Sequence, residues 1–282
     1  MRAEDAPAAS RAAHAALAQL YPEEETAEQA AGRERGGIAR AAHLQATDPG
    51  GCWVAEVDGS VVGTALGLVR EGLWGFSLFG ILPAFQGQGI GTRLYAPALA
   101  HGAGQPRGII LSSSHPAAMR RYARSPGYRL LPAVGLTGAW DPRRAPATLR
   151  SRPGDLETDR PTIDAASRHV RGASHARDLP VLLGRTGVVL LVIDDEGFVC
   201  ARNGSPTLLA ARSEAAAEDL LWGAMASGPR GGTVSYDFVT AENQWAIRVG
   251  LEAGLALSPD GPVLVRGDPG PLTPFLPSGA YL

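Results

Sequence analysis

Ile81-Leu82-Pro83-Ala84-Phe85-Gln86-Gly87-Gln88-Gly89-Ile90-Gly91-Thr92 is the stretch on which the reading of this chain turns. An apolar run, residues 76–82, feeds into it with the composition of a buried strand. A helix-like run, residues 90–101, leaves it. Between them Gly87, Gly89 and Gly91 sit on alternate residues. Glycines so placed let the backbone turn sharply and bring its N–H groups close to a ligand with no Cβ in the way. The first N–H groups of a helix have no intrahelical partner, and the helix dipole is positive at that end. Strand, glycine turn and helix start together make a phosphate cradle.

Composition narrows what the cradle holds. The 282 residues favour two domains of ordinary size, and 45% hydrophobic with 19% charged residues describes a globular chain with ample core material. A net charge of −2 with a pI near 6.3 offers no bulk attraction to nucleic acid or an anionic membrane. No apolar run reaches membrane-spanning length. Met1-Arg2-Ala3-Glu4-Asp5 is acidic and lacks the apolar core of a signal peptide, so a cytoplasmic protein is expected. Cys52 and Cys200 lie in different halves, in strand-like runs, and read as buried thiols. Every side chain in the lysine–arginine count is arginine. A Walker-type phosphate loop and Schiff-base chemistry both need a lysine, and both are excluded. His169 and His175 have no cysteine or carboxylate at ligand spacing, so no metal is expected.

Along the chain, Asp5 is placed to cap a helix from Ala6 to Leu20, with Tyr21-Pro22 ending it. Residues 23–46 are helical but interrupted by Gly32, Gly36 and Gly37, which predicts two short helices or a helix and a loop. Strands are expected over 53–57, 60–69 and 73–82, turned at Asp58-Gly59 and Glu71-Gly72: an antiparallel meander running into the cradle. The next helix contains Pro97, which should kink it. A strand over 107–112, a helix over 116–124 and strands over 128–131 and 134–140 complete the first half. Trp140-Asp141-Pro142-Arg143-Arg144-Ala145-Pro146 has linker composition. After it the order of meander, helix, strand, helix, strand repeats, which points to a duplicated fold.

Two motifs in this order resemble the GNAT superfamily of N-acetyltransferases. Gln86-Gly87-Gln88-Gly89-Ile90-Gly91 matches that family's Gln/Arg-x-x-Gly-x-Gly/Ala signature. His115-Pro116-Ala117-Ala118-Met119-Arg120-Arg121-Tyr122, continuing to Gly127-Tyr128, resembles its second motif, with His115 in place of the usual asparagine. The likeness covers about residues 1–140. The strand with which the family opens is expected to be missing or vestigial, since only Met1-Arg2 precedes the first helix cap. The resemblance implies an α/β (α+β) architecture of two tandem GNAT folds, each a mostly antiparallel sheet flanked by helices. A catalytic domain would span 1–142 and a degenerate copy 147–282.

The resemblance also implies acetyl-CoA as cosubstrate, with no metal. Gln86, Gly87, Gln88, Gly89, Ile90, Gly91 and Thr92 would hold the pyrophosphate, and the strand Phe79, Gly80 and Ile81 would pair with the pantetheine amides. Tyr122 would protonate the departing thiolate, and the N–H of Ile81 would steady the oxyanion. Relatives place a basic carboxylate on the strand before the loop, but residues 73–82 carry none. His115, a serine of Ser112-Ser113-Ser114, Glu56 or Glu71 through water, and the Leu282 carboxylate are the candidates. In the second half Gly250 stands where tyrosine is expected. Ala211-Arg212-Ser213-Glu214 replaces the cradle with negative charge, so that half should bind no CoA. The expected function is acetylation of a small-molecule amine by a monomer or homodimer. The alternatives are a non-catalytic acyl-CoA binder, or decarboxylation or O-acylation on the same fold. The serine-hydrolase elbow is absent, because Gly75-Phe76-Ser77-Leu78-Phe79 lacks the second glycine.

Overall fold

A computed structural model describes residues 1–20 and 26–282. Tyr21-Pro22, expected to stop the first helix, and the first residues of the second expected helical stretch lie outside the described residues. By its contacts the chain forms two compact units, Met1–Gly108 with Leu282, and Ile109–Tyr281.

The first unit opens with α1 (Ala6–Leu17) and α2 (Ala27–Thr47). Asp5 stands at the N-cap of α1, but its carboxylate accepts from the Arg2 N–H at 2.6 Å and caps nothing in the helix. Thr26 caps α2 reciprocally with Gln29 (3.2 and 2.7 Å), an arrangement that satisfies two otherwise unpaired N–H groups. The expected interruption of α2 does not occur: it is one helix of 21 residues. Gly37 has another use, because a Cβ there would stand 2.3 Å from Ser10 Oγ of α1. The glycine lets the helices approach closely, and that contact offsets its poor helix propensity.

Strands β1 (Cys52–Val57), β2 (Ser60–Arg70) and β3 (Leu73–Ile81) form the expected antiparallel meander. Asp58-Gly59 and Glu71-Gly72 both have positive φ at each residue, which suits the right-handed twist of the flanking strands. Helix α3 (Ile90–His101) runs through Pro97 without ending. Its buried Leu94, Tyr95 and Ala98 face the sheet, where Tyr95 meets Phe76 edge-on at 5.2 Å and Phe76 stacks with Trp74 at 5.5 Å. On α1, Ala13 lies so close to β3 that a Cβ on Gly80 would stand 2.8 Å from its Cα. One buried ion pair closes the far end. Asp48 accepts from Arg70 at 2.8 Å and from the Val69 N–H at 2.7 Å.

Strand β4 (Arg107–Leu111) begins in the first unit and ends in the second. Helix α4 (Pro116–Ala123) and β5 (Tyr128–Ala139) follow. β5 is one strand where two were expected. Pro132 cannot donate to a ladder, but the partner strand bulges opposite it, pairing Asp260 with Ala133 and Val263 with Leu131. After the linker-like stretch come β6 (Arg152–Pro153), α5 (Arg160–Arg171), α6 (Leu179–Leu183), β7 (Val188–Ile193), β8 (Gly197–Arg202) and β9 (Ser205–Ala211). Then come α7 (Glu214–Ala226), β10 (Thr233–Thr240), α8 (Gln244–Glu252), β11 (Ala256–Arg266) and β12 (Phe275–Leu276). One sheet has the order β12-β9-β8-β7-β6, and in the other β5 lies between β11 and β10. The order β1-β2-β3-α3-β4-α4-β5 thus recurs as β7-β8-β9-α7-β10-α8-β11. Sheets flanked by helices, arranged twice, make the mixed α/β tandem fold anticipated from sequence. The last strand of the first repeat is built between two strands of the second, which is why the second compact unit starts ahead of the linker.

Candidate functional site

The cradle lies in the first unit, between β3 and α3. Gly87 and Gly89 have φ of +77° and +79°, a region that strains residues with a Cβ. Open space surrounds both, so the demand for glycine comes from the backbone turn and not from a neighbour. Gln86 Nε2 donates to the Ile81 carbonyl at 2.9 Å, which fastens the loop to the end of β3, and Gln88 Nε2 donates to the Ala84 carbonyl at 3.2 Å within the loop. The Gly89 carbonyl accepts from Thr92 at 3.0 Å and Arg93 at 3.3 Å, closing the first turn of α3. The N–H groups of Gly87, Gln88, Gly89, Ile90 and Gly91 find no acceptor among the described residues. Five such donors in a row, at the positive end of a helix of 12 residues, make a site for a phosphate-sized anion. Phe79, Gly80 and Ile81 lead straight into it on β3, with Phe79 against Tyr95 at 6.2 Å.

The other sequence-predicted residues lie in the second unit, on and before α4. Tyr122 is buried at 4% exposure, near the C-terminal end of the helix. His115 is the N-cap, its Nδ1 accepting the Ala117 N–H at 3.2 Å. The cap ties His115 to the start of α4. Ser112 is fully buried and its hydroxyl donates to the Ser113 carbonyl at 2.8 Å.

The remaining base candidates are in the first unit. Glu56 is exposed on β1, which pairs with β2 and not with β3. Glu71 sits in the turn before β3, at the opposite end of the strand from the cradle. The side chain of Leu282 covers Gly75, where a Cβ would stand 2.2 Å from Leu282 Cδ1. Both thiols are buried. Burial chiefly, and the nearby Asp48 carboxylate next, push Cys52 up to about 12, and burial raises Cys200 further.

The corresponding helix start in the second half is closed. Ser213 Oγ accepts from the Ala216 N–H at 3.2 Å and donates to Glu196 at 3.0 Å, and the Glu196 carbonyl accepts from Arg212 at 2.7 Å. Gly250 leaves room for Tyr236, whose hydroxyl would stand 2.2 Å from a Cβ there and donates to the Ala246 carbonyl at 2.9 Å. Sequence reasoning missed two features of the first unit. One is a cleft of about 340 Å³ between β1 and α3, reaching from Trp53 to Pro97. The other is the grip of Arg40 on Ser77, 37 residues apart. Neither pairing leaves a local pattern in the chain.

Among the described residues no cluster of three or more His, Cys, Asp or Glu could hold a metal ion, and no helix is long and apolar enough to cross a membrane. Residues 15–128 match the acetyltransferase (GNAT) family model, a family whose general activity is acyl-CoA-dependent acetyl transfer. Solved structures share the fold over nearly the whole chain. A Pyrococcus horikoshii protein described as an acetyltransferase is 16% identical, over 100% of this chain and 94% of that one, with a TM-score of 0.78. A GCN5-related N-acetyltransferase from Sphaerobacter thermophilus is 18% identical, over 97% of each, with a TM-score of 0.57. A tandem GNAT protein from the clavulanic acid biosynthesis pathway is 16% identical, over 94% of this chain and 96% of that one, with a TM-score of 0.55. Among curated proteins none matches the chain in sequence.

Proposed function

We propose that the chain transfers an acetyl group from acetyl-CoA to the amine of a small molecule, with residues 1–142 as the catalytic half. The observation that carries this reading is the row of five acceptorless N–H groups from Gly87 to Gly91 at the start of α3. These donors suit the CoA pyrophosphate, and the backbone of Phe79–Ile81 suits the amides of the pantetheine arm. Attack by a neutral amine on the thioester carbonyl forms the new C–N bond. The Ile81 N–H steadies the resulting oxyanion, and collapse breaks the C–S bond. The departing thiolate takes a proton from the Tyr122 hydroxyl, and the amine proton leaves through water. His115 serves this chemistry by capping the helix that carries Tyr122.

A second reading rests on a specific observation. β3 carries no carboxylate, and His115 Nδ1 is engaged in the cap of α4, which suits an acyl-CoA binder without turnover. Tyr122→Phe separates the two. In a transferase it lowers turnover about a hundredfold and leaves CoA affinity nearly unchanged, the usual scale for a positioned proton donor. Thiol release from acetyl-CoA across a panel of amines, with calorimetry on the same protein, makes the measurement. A wild-type chain that binds neither CoA nor acetyl-CoA would falsify both readings.

A further inference from the structure

The strand that leads into the cradle is not regular. β2 and β3 pair Leu66 with Leu78 but Gly67 with Phe76, so Ser77 is the extra residue of a β-bulge. A bulge bends its strand and increases the local twist, so the course of the next residues depends on how the bulge is held. It also takes a residue out of the regular ladder, and a buried carbonyl without a donor is costly. Ser77 is buried, with 7% of its surface exposed. Arg40, on α2, meets it with two donors. Nε donates to Ser77 Oγ at 2.9 Å, and Nη2 donates to the Ser77 carbonyl. The fork of a guanidinium can bond a hydroxyl and a carbonyl of one residue together, and a lysine ammonium has no such geometry. Three residues further on, the segment is pressed by α1 at Gly80. Residues 78–81 therefore run from a clamped bulge to the cradle.

We propose that Arg40 is a positioning residue for acyl-CoA. It holds the bulge at Ser77 and so aims the backbone of residues 78–81 at the pantetheine arm. The assignment rests on the acyl-CoA reading above.

The test compares Arg40→Met, Arg40→Lys and Ser77→Ala in the full chain. Affinity for acetyl-CoA is read by calorimetry, amide exchange by mass spectrometry without any CoA, and folding by thermal melting. Arg40→Met keeps the aliphatic stem and removes the donors. It should weaken acetyl-CoA binding about tenfold or more, the scale of losing a charge-assisted hydrogen bond. Exchange at residues 78–81 should quicken while protection in β1 and α3 stays as in wild type. Ser77→Ala keeps the carbonyl contact and should stay within about threefold of wild type, with Arg40→Lys between the two. Wild-type affinity in Arg40→Met overturns the proposal. So does a loss of binding accompanied by loss of protection through β1 and α3, which would make Arg40 a general prop of the fold. Failure of the wild-type chain itself to bind CoA overturns the acyl-CoA reading and this assignment with it. That result is distinct from a clamp failure, because the exchange comparison needs no CoA.

Discussion

At Gly89 the fold asks for a left-handed residue. Its φ of +79° suits glycine, and the space around it is open. Gly89→Ala should therefore cost about 1–2 kcal/mol of stability through the backbone alone. It should also weaken CoA binding by tilting the N–H groups on either side. Urea unfolding and calorimetry read the two effects separately. Wild-type stability with wild-type affinity would show that the loop turns without its left-handed residue. Asp48 is a different case. It is 4% exposed, facing an Arg70 that is 5% exposed. Asp48→Ala leaves a buried guanidinium without its carboxylate, and a loss of about 3–5 kcal/mol is expected in the same unfolding experiment. The sequence marked Gly89 because positive φ is a property of one residue and its neighbours. It did not mark Asp48–Arg70, because two side chains 22 positions apart leave no local pattern when they pair.

Among the elements, the helices show where local propensity gives way to packing. Glycines in α2 predicted a break, yet the helix runs on, and α3 continues through Pro97. Close approach explains the first. Gly37 of α2 sits against the Ser10 side chain of α1, and Gly80 of β3 sits against the α1 backbone at Ala13. Gly80→Ala should push α1 off β3, because the added methyl meets the Ala13 Cα at 2.8 Å and not the end of a flexible side chain. Overpacking of this kind costs about 1–3 kcal/mol. A melting temperature equal to wild type would show that α1 can slide at no expense. The meander and its two turns were legible in the chain, since apolar runs and Asp-Gly or Glu-Gly pairs act over a few positions. The single strand β5 was not. Pro132 looks like a break until β11 supplies a bulge opposite it.

For the molecule as a whole, the two halves repeat an order of elements but not a site. The α3 start presents free donors, whereas the α7 start is capped by Ser213 and flanked by Glu196 and Glu214. Titration with CoA should saturate at about one equivalent per chain, and a second equivalent of similar affinity would show that α7 also receives a phosphate. The buried thiols set a pH signature. Cys52 is raised from 9.0 to about 12, and Cys200 and Tyr236 are raised by burial as well. A group held protonated by the fold stabilises it below its ordinary value and loses that contribution as pH rises towards the folded value. On this account, stability to urea should be level through neutral pH and fall from about pH 9 upwards. Both thiols should resist a thiol reagent in the native protein at pH 8, and fast labelling of either would contradict their burial.

The sequence by itself determined the glycine turn, the meander that leads to it and the duplication. Each of these is written in residue types whose effects reach only a few positions: glycine at positive φ, paired turn residues and apolar runs. Tertiary structure decided the rest. It joined Arg40 to Ser77 across 37 residues, kept α2 whole by packing it on α1, and carried β5 past its proline. It also set His115 at the start of α4, where Nδ1 accepts the Ala117 N–H. Local conformation follows from the sterics and hydrogen bonding of neighbouring residues. The environment of a side chain follows from which elements pack together, and that is settled only when the whole core forms.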